Sequence, residues 1–374
     1  MLKCYDVIIL GGGPSGLATA VALRRLGRSV AVVERSDYKD IRVGEHAAPE
    51  VWSVLQQIGA SDILSNCENR LSSGVASLWT AQHLHSNDYI YSPWGYGINL
   101  ARPQFEQNLA FRADDAGVHV LRSTNVLRTA TERKWTFEVR SETGRSTLQT
   151  KFAVDATGRS AWLLRSLDCK PENLEKAVGL LCYCEPRNEL CIEDSRVFIE
   201  PALRGWWYSA PLANGQIATV FVTDSDILAR SEFKLTDFWS MNLRETRYTR
   251  ERVRSESSRV NIHVRPAHSQ VTRQVSGENW IAVGDAAFAQ DPLSGNGILR
   301  ALQSGLTAAN AIHRRLDGDC AALTEYQSAH NRSVTRYWRE RTNLYREIAP
   351  GLRAFDFWSR RQSLTTPIGG RIVH

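Results

Sequence analysis

The chain opens on a short apolar run, Val7-Ile8-Ile9-Leu10, that breaks at once into Gly11-Gly12-Gly13-Pro14-Ser15-Gly16. A run of this length reads as a buried strand, and the glycines after it read as a turn. Residues 14–26 then repeat apolar positions at helical spacing, with Leu17, Ala20, Val21 and Leu23 set against Arg24 and Arg25. A second apolar strand over 29–34 ends on Glu34. Together these segments form a strand–helix–strand unit. In such a unit Gly11 permits the tight turn, Gly13 lets backbone N–H groups approach a pyrophosphate, and Gly16 lets helix and strand pack closely. The helix N-terminus then faces the anion. Glu34 lies 18 residues after Gly16, placed to bind a ribose hydroxyl pair. The expected nucleotide contacts are therefore Gly11, Gly13, Pro14, Ser15, Gly16, Glu34 and the adjoining Arg35. This loop alone does not distinguish FAD from a nicotinamide dinucleotide.

The C-terminal half makes the distinction. The strand Trp280-Ile281-Ala282-Val283 runs into Gly284-Asp285-Ala286-Ala287, and Asp291-Pro292-Leu293-Ser294-Gly295-Asn296-Gly297 follows. An aspartate at a strand end can accept hydrogen bonds from a ribityl hydroxyl. Small residues opening a helix expose N–H donors, and that positive helix end suits the N1/O2 edge of a flavin, which turns negative on reduction. FAD is the expected cofactor, with Gly284, Asp285, Pro292, Gly295, Asn296 and Gly297 as contacts. Asp291 either touches substrate or flavin, or caps the helix that follows.

Other segments read as helices over 50–65, 103–116, 236–253, 296–316 and 325–347, and as strands through 118–154 and 178–223. The chain has 374 residues, enough for about two or three domain-sized units, with no repeat and no low-complexity linker. The domains are therefore expected to interleave. Net charge is +6, carried by 39 arginines against seven lysines. No nucleic-acid motif accompanies it, so a nucleic-acid partner is not expected. The seven cysteines, Cys4, Cys67, Cys169, Cys182, Cys184, Cys191 and Cys320, are odd in number and hold no C-x-x-C. Neither a disulfide framework nor a metal site is suggested. Reduced thiols fit a cytoplasmic protein, and no apolar run reaches the ~18 residues of a membrane span.

Three segments coincide: GGGPSG with Glu34, Asp155-Ala156-Thr157-Gly158-Arg159-Ser160, and GDAAFAQDPLSGNG. Together they resemble the flavin monooxygenase superfamily of the para-hydroxybenzoate hydroxylase type, over about residues 1–315. The resemblance implies FAD, O2 as co-substrate, and NAD(P)H or another reductant as a transient donor without a Rossmann domain of its own. It implies a flavin C4a-hydroperoxide that hydroxylates an aromatic ring. It also adds Arg102, Val126, Asp155 and Gly158 to the cofactor contacts. The segment Arg42-Val43-Gly44-Glu45-His46-Ala47-Ala48-Pro49 resembles the R-x-G-E-x-x-x-P segment of tryptophan halogenases and their hydroxylase relatives, which adds Arg42 and Gly44. Gly205-Trp206-Trp207-Tyr208-Ser209-Ala210-Pro211 looks like a relaxed W-x-W-x-I-P motif. Halogenases of this type carry the activated halogen on a lysine after the G-E pair, yet no lysine occurs between Lys39 and Lys134. What remains is similar to the LodB/GoxB type of flavoprotein, which matures tryptophylquinone cofactors by oxygenating a Trp of a partner protein.

The resemblance implies a mixed α/β fold. A discontinuous FAD-binding domain over 1–70, 98–165 and 270–324 would interleave with a β-sheet substrate domain over 71–97 and 166–269. A helical C-terminal segment over 325–374 completes it. Its implied partner is a precursor quinoprotein; oligomeric state is left open. His46 is the first candidate acid or base, since histidine titrates near neutrality, with Glu45 and Asp291 beside it. Trp206 and Tyr208 alternate onto one face of a strand and are candidates for the substrate wall. Rival expectations are a hydroxylase of a free small aromatic, a flavin reductase of the geranylgeranyl reductase type, and a silent FAD-binding scaffold.

Overall fold

Why the first fifty residues fold as they do is visible in their burial. Val7, Ile8, Ile9 and Leu10 are all fully buried, as a strand covered on both faces must be. The computed structural model describes residues 2–65, 68–80, 83–131, 134–254 and 261–362; Cys67 and residues 363–374 of the expected tail lie outside them. Among the described residues the first sheet has eight strands. Its parallel centre is β1 (Leu2–Leu10), β2 (Val30–Val33), β8 (His119–Leu121), β11 (Gly144–Asp155) and β20 (Trp280–Ala282). Strands β9 (Asn125–Thr131), β10 (Trp135–Ser141) and β19 (Ser276–Gly277) pair antiparallel on it. The register aligns Leu10, Asp155 and Ala282. The turns that follow, at Gly11, Gly158 and Gly284, therefore emerge at the carboxyl ends of parallel strands, where open α/β sheets bind ligands.

The second sheet has seven described strands in the order β17 (His263–Pro266), β13 (Ala177–Cys184), β16 (Ile217–Asp224), β15 (Gly205–Pro211), β14 (Val197–Ala202), β5 (Gly74–Ser77) and β6 (His85–Asp88). It is antiparallel except at β14–β5. Two small sheets join the large ones: β3 (His46–Ala47), β7 (Gly97–Asn99) and β4 (Arg70–Ser72), and β12 (Glu172–Asn173) with β18 (Gln270–Val271). The architecture is mixed α/β, and strands of the two main sheets alternate along the chain.

Helix α1 (Pro14–Arg25) packs against a later helix, α7 (Gly297–Leu316). The contact needs a residue without Cβ, since one at Gly305 would stand 2.5 Å from the Ser15 carbonyl oxygen. The expected helix over 50–65 is shorter. It is α2 (Val51–Gln57), a left-handed turn at Gly59 (φ +64°) and a 3-10 turn over Ser61–Leu64. Helix α3 (Arg102–Asp115) and α4 (Trp162–Ser166) follow. The expected helix over 236–253 is broken into α5 (Leu235–Arg244) and a short turn over Thr249–Arg252. Buried Glu200 breaks it by accepting the N–H groups of Arg247, Tyr248 and Thr249 at 2.5, 3.1 and 2.7 Å. Helix α6 (Asp285–Phe288) precedes α7, and α8 (Ala322–Arg346) and α9 (Asp356–Ser359) close the described chain.

Candidate active site

The two main sheets enclose a cavity of about 1240 Å³. One end is the glycine turn after β1. Gly11 holds φ +105°, and a Cβ there would lie 2.2 Å from the Ala156 carbonyl oxygen. A Cβ on Gly16 would stand 2.1 Å from the Gly11 carbonyl oxygen, so Gly16 serves packing and does not line the cavity. Gly13 differs: a Cβ there would meet nothing within 4 Å and would project into open space. Gly11, Gly13, Pro14 and Ser15 line the cavity, as do Glu34 and Arg35. The Glu34 carboxylate is fixed by the Gly12 N–H on Oε2 (2.6 Å) and by the Ser36 N–H (2.9 Å) and hydroxyl (2.6 Å) on Oε1, which leaves Oε2 open to a ribose hydroxyl. These features fit an extended dinucleotide: a cradle cleared of side chains, a carboxylate beside it, and a volume above the ~300–1,000 Å³ of usual small-ligand sites.

The R-x-G-E segment forms the next wall. Arg42 bonds Ser36 Oγ (2.6 Å) and pairs with Glu106 (2.6 Å). Arg102, at the start of α3, donates to the carbonyls of Val43 and Gly44 and pairs with Glu106 one helical turn on. Glu106 is fully buried and was not singled out from sequence, although its i+4 spacing from Arg102 was available there. Gly44, Val126 and Gly158 also line the cavity.

Glu45 and His46 face it as well. Burial pushes the Glu45 carboxyl above its ordinary range, and Tyr183 Oη donates to it at 3.2 Å. The ring of His46 is held at both nitrogens. Asn99 Nδ2 donates to the carbonyls of Ser195 (3.2 Å) and Pro211 (3.1 Å), which turns its Oδ1 toward His46 Nδ1 at 2.9 Å. Nδ1 therefore carries the proton, and Nε2 accepts from Tyr89 Oη at 2.9 Å. Burial lowers this histidine to about 4, so it is neutral at pH 7. It is an oriented neutral imidazole, and it can take a substrate proton only by exchanging its Tyr89 bond. Asn99, Tyr89 and Tyr183 carry no local motif and were missed from sequence, because tertiary packing alone brings them here.

The far wall is one face of the second sheet: Gly179 and Leu181 of β13, Trp206 and Tyr208 of β15, Val220 and Val222 of β16. Trp207 and Phe221 alternate to the opposite face and pack on α5. Trp206 Nε1 donates to Tyr345 Oη (3.2 Å), so its ring is both core and wall.

The C-terminal loop supplies Asp285, Asp291, Pro292, Gly295 and Gly297 to the cavity, but Asn296 is not among the lining residues and Gly284 lines a smaller neighbouring cavity. Of the two expected carboxylates here, Asp155 departs from expectation and Asp291 takes the capping role that was one of its two readings. Asp155 does not reach the cavity: its carboxylate is fully buried and accepts Thr157 N–H (3.0 Å) and Leu164 N–H (3.0 Å), fixing the turn into α4. Asp291 is at the cavity floor, but its carboxylate caps Leu293 N–H (2.8 Å) and accepts Tyr345 Oη (2.6 Å) with Arg341 at 3.4 Å. Its Oδ2 is taken by Tyr345 and Arg341, and its Oδ1 by the turn it caps.

A family model described as an FAD binding domain matches residues 4–340. The chain belongs to the FAD binding domain family. It is an FAD-dependent oxidoreductase with the fold of the flavin monooxygenases, and enzymes of this kind use O2 and a reductant. Among relatives, it is 27% identical over 370 residues to the FAD-dependent oxidoreductase LodB of Marinomonas mediterranea, covering 97% of this chain and 98% of LodB. Its fold matches that of QhpG, a peptidyl tryptophan dihydroxylase essential for tryptophylquinone cofactor biogenesis (TM-score 0.78, 25% identity, 99% and 80% coverage). It also matches the myxobacterial chondrochloren halogenase CndH (TM-score 0.85, 20% identity, 98% and 87% coverage). Among the described residues no helix is long and apolar enough to cross a membrane, and no cluster of His, Cys, Asp and Glu is suited to a metal ion.

Proposed function

We propose that this protein hydroxylates the indole of a Trp held in a precursor polypeptide during tryptophylquinone biogenesis. One observation carries the reading: a single large cavity runs from the dinucleotide turn to the Trp206–Tyr208 wall, so an aromatic ring can lie beside a bound flavin. The likeness to LodB along almost its whole length and to QhpG supports the partner class. FAD, when bound, supplies oxygen activation, and the rest falls to this chain's residues. Gly11–Ser15 and Glu34 hold the nucleotide. Arg42, Arg102 and Glu106 fix the wall on which Glu45 and His46 stand. Trp206 and Tyr208 orient the ring and, with Leu181, Val220 and Val222, exclude water. An indole is already nucleophilic, so the ring proton can leave late, to the Nε2 of neutral His46 once Tyr89 yields.

A halogenase reading is favoured by the likeness to CndH, and it needs an amine beside the substrate wall. Lys39 is the one lysine lining the described cavity, but it pairs with Asp37 at 2.8 Å beside Ser36 and the nucleotide carboxylate Glu34. Purified protein would be given FAD, a reductant, O2 and chloride, with either an unprocessed quinoprotein precursor or free tryptophan. Mass spectrometry should then find added oxygen on one precursor Trp. Oxygen on free tryptophan alone would move the reading to small-molecule hydroxylation, and chlorine would move it to halogenation.

A further inference from the structure

We propose that a smaller cavity of about 230 Å³, enclosed by α6, α7 and α8, is a second oxyanion site held by Arg300. Arg300 stands on the first turn of α7 and lines both this cavity and the main one. Its guanidinium lies 5.0 Å from the centroid of Phe288. Among the described residues its guanidinium has neither a hydrogen bond nor an ion pair.

The fully buried arginines are all partnered. Arg361 pairs with Asp224 at 2.5 Å, Arg341 pairs with Glu175 and Asp291, and Arg252 donates to the carbonyls of Ser209, Asp194 and Arg196. Asp285 shares the Arg300 wall but is turned to Arg159 at 3.8 Å. Arg300 is half-buried, and among the described residues no carboxylate stands within ion-pair distance of its charge. Burial lowers Arg300 to about 10, so it is still a cation at pH 7.

The rest of the wall suits an anion. His330 donates its Nε2–H to the Thr272 carbonyl (2.9 Å) and is held near 4 by burial and by the charge of Arg300, so it stays neutral. Ser304 Oγ is spent on the Ala301 carbonyl and the Gly284 N–H, but Ser333 on the facing helix lines the cavity with no protein partner. A planar guanidinium with a hydroxyl opposite matches two oxygens of a phosphate or carboxylate. No residue of the 11–15 turn lines this cavity, although Asp285, Gly297, Arg300 and Ala301 line both it and the main one. Its oxyanion can be a free ion or the phosphate of the reduced nicotinamide donor.

The test is inorganic phosphate added to the FAD-loaded protein, with chloride matching the ionic strength. Wild type should show a saturable rise in melting temperature. Arg300→Gln should weaken phosphate by about 10- to 100-fold, the worth of a charge-assisted pair, and Arg300→Lys should fall between. If phosphate raises KM for NADPH in flavin reduction and leaves kcat unchanged, the donor's phosphate is the natural occupant. If it binds without competing, the occupant is a free ion. Three results overturn the proposal: no saturable effect in wild type, an equal effect in Arg300→Gln, or an effect present without FAD and lost on loading. The last would assign Arg300 to the cofactor's own phosphates. Should Arg300→Gln fail to fold, wild type and Arg300→Lys decide the matter.

Discussion

Two glycines of one motif do different work, and single residues can separate them. Gly16 is held against the Gly11 carbonyl, whereas Gly13 faces open cavity. Gly16→Ala forces backbone apart and should cost about 2–4 kcal/mol, as overpacking does at its upper range, with loss of FAD as a consequence. Gly13→Ala should leave the apo melting temperature within about 2 °C of wild type, since a Gly-to-Ala change without strain is mild. FAD affinity should nevertheless drop at least tenfold. Differential scanning fluorimetry on apoprotein, beside flavin fluorescence titration, reads both. A Gly13→Ala protein that binds FAD normally would show that the cradle is not used as described. His46 gives a second residue-scale expectation. Its pKa is about 4 when folded against an ordinary 6.5, so between those values the unfolded chain binds a proton that the folded chain refuses. Stability should fall as pH drops through that window, by up to about 3 kcal/mol. His330, also near 4, acts in the same direction. Urea unfolding at pH 7, 5.5 and 4.5 should show a shallower loss for His46→Gln than for wild type, once each is referred to its own value at pH 7.

At the scale of elements, the long helix α8 is where sequence and structure teach most. Its Tyr337, Trp338, Arg341 and Tyr345 are all buried, although arginine and tyrosine are more often half-exposed. Arg341 pairs with Glu175 and Asp291, Tyr345 donates to Asp291, and the rings of Trp338 and Tyr345 flank the Arg341 guanidinium beneath the 291–297 loop. No pattern within α8 announces this, because Glu175 and Asp291 are far away in the chain. The parallel strands and glycine turns were legible for the opposite reason: local spacing alone dictates them. The same contrast holds within the site. Gly11, Gly13 and Glu34 could be read directly, while Asn99 and Tyr89 reach His46 only through the pairing of β3 with β7 and the turn after β6. Asp155 misleads because a carboxylate at a strand end can serve a ligand or its own following turn, and here it serves the turn. The α8 cluster is itself testable. Arg341→Met leaves Glu175 and Asp291 buried with less compensation and should cost about 3–5 kcal/mol. Tyr345→Phe removes one hydrogen bond to Asp291 and should cost about 1–3 kcal/mol. Equal and negligible effects on denaturation midpoints would show that the cluster is not structurally important.

For the whole molecule, the cavity's position between two sheets couples cofactor binding to global stability. The sheets meet through side chains that cross from one set of strands to another. Arg159, after β11, donates to the His268 carbonyl (2.5 Å), and Asn99 of the small sheet donates to Ser195 and Pro211 beside the second. FAD would touch both bodies, from Gly13 on one side to the wall of β13, β15 and β16 on the other. A ligand that binds only the folded state stabilises it by mass action, about 2.7 kcal/mol at a hundredfold excess over Kd. The apoprotein should therefore melt about 3 °C or more below the FAD-saturated protein. Hydrogen exchange should slow on loading in two distant places, the 11–15 turn and the strands β13 and β16. Protection confined to the 11–15 turn would mean that the flavin end of the cofactor does not reach the second sheet. The aromatic wall would then be too far from the reacting atoms to orient a substrate, and the hydroxylase reading would lose its geometric basis. Protection at both ends would place the isoalloxazine between the wall and the His46 segment, the position that ring oxygenation requires.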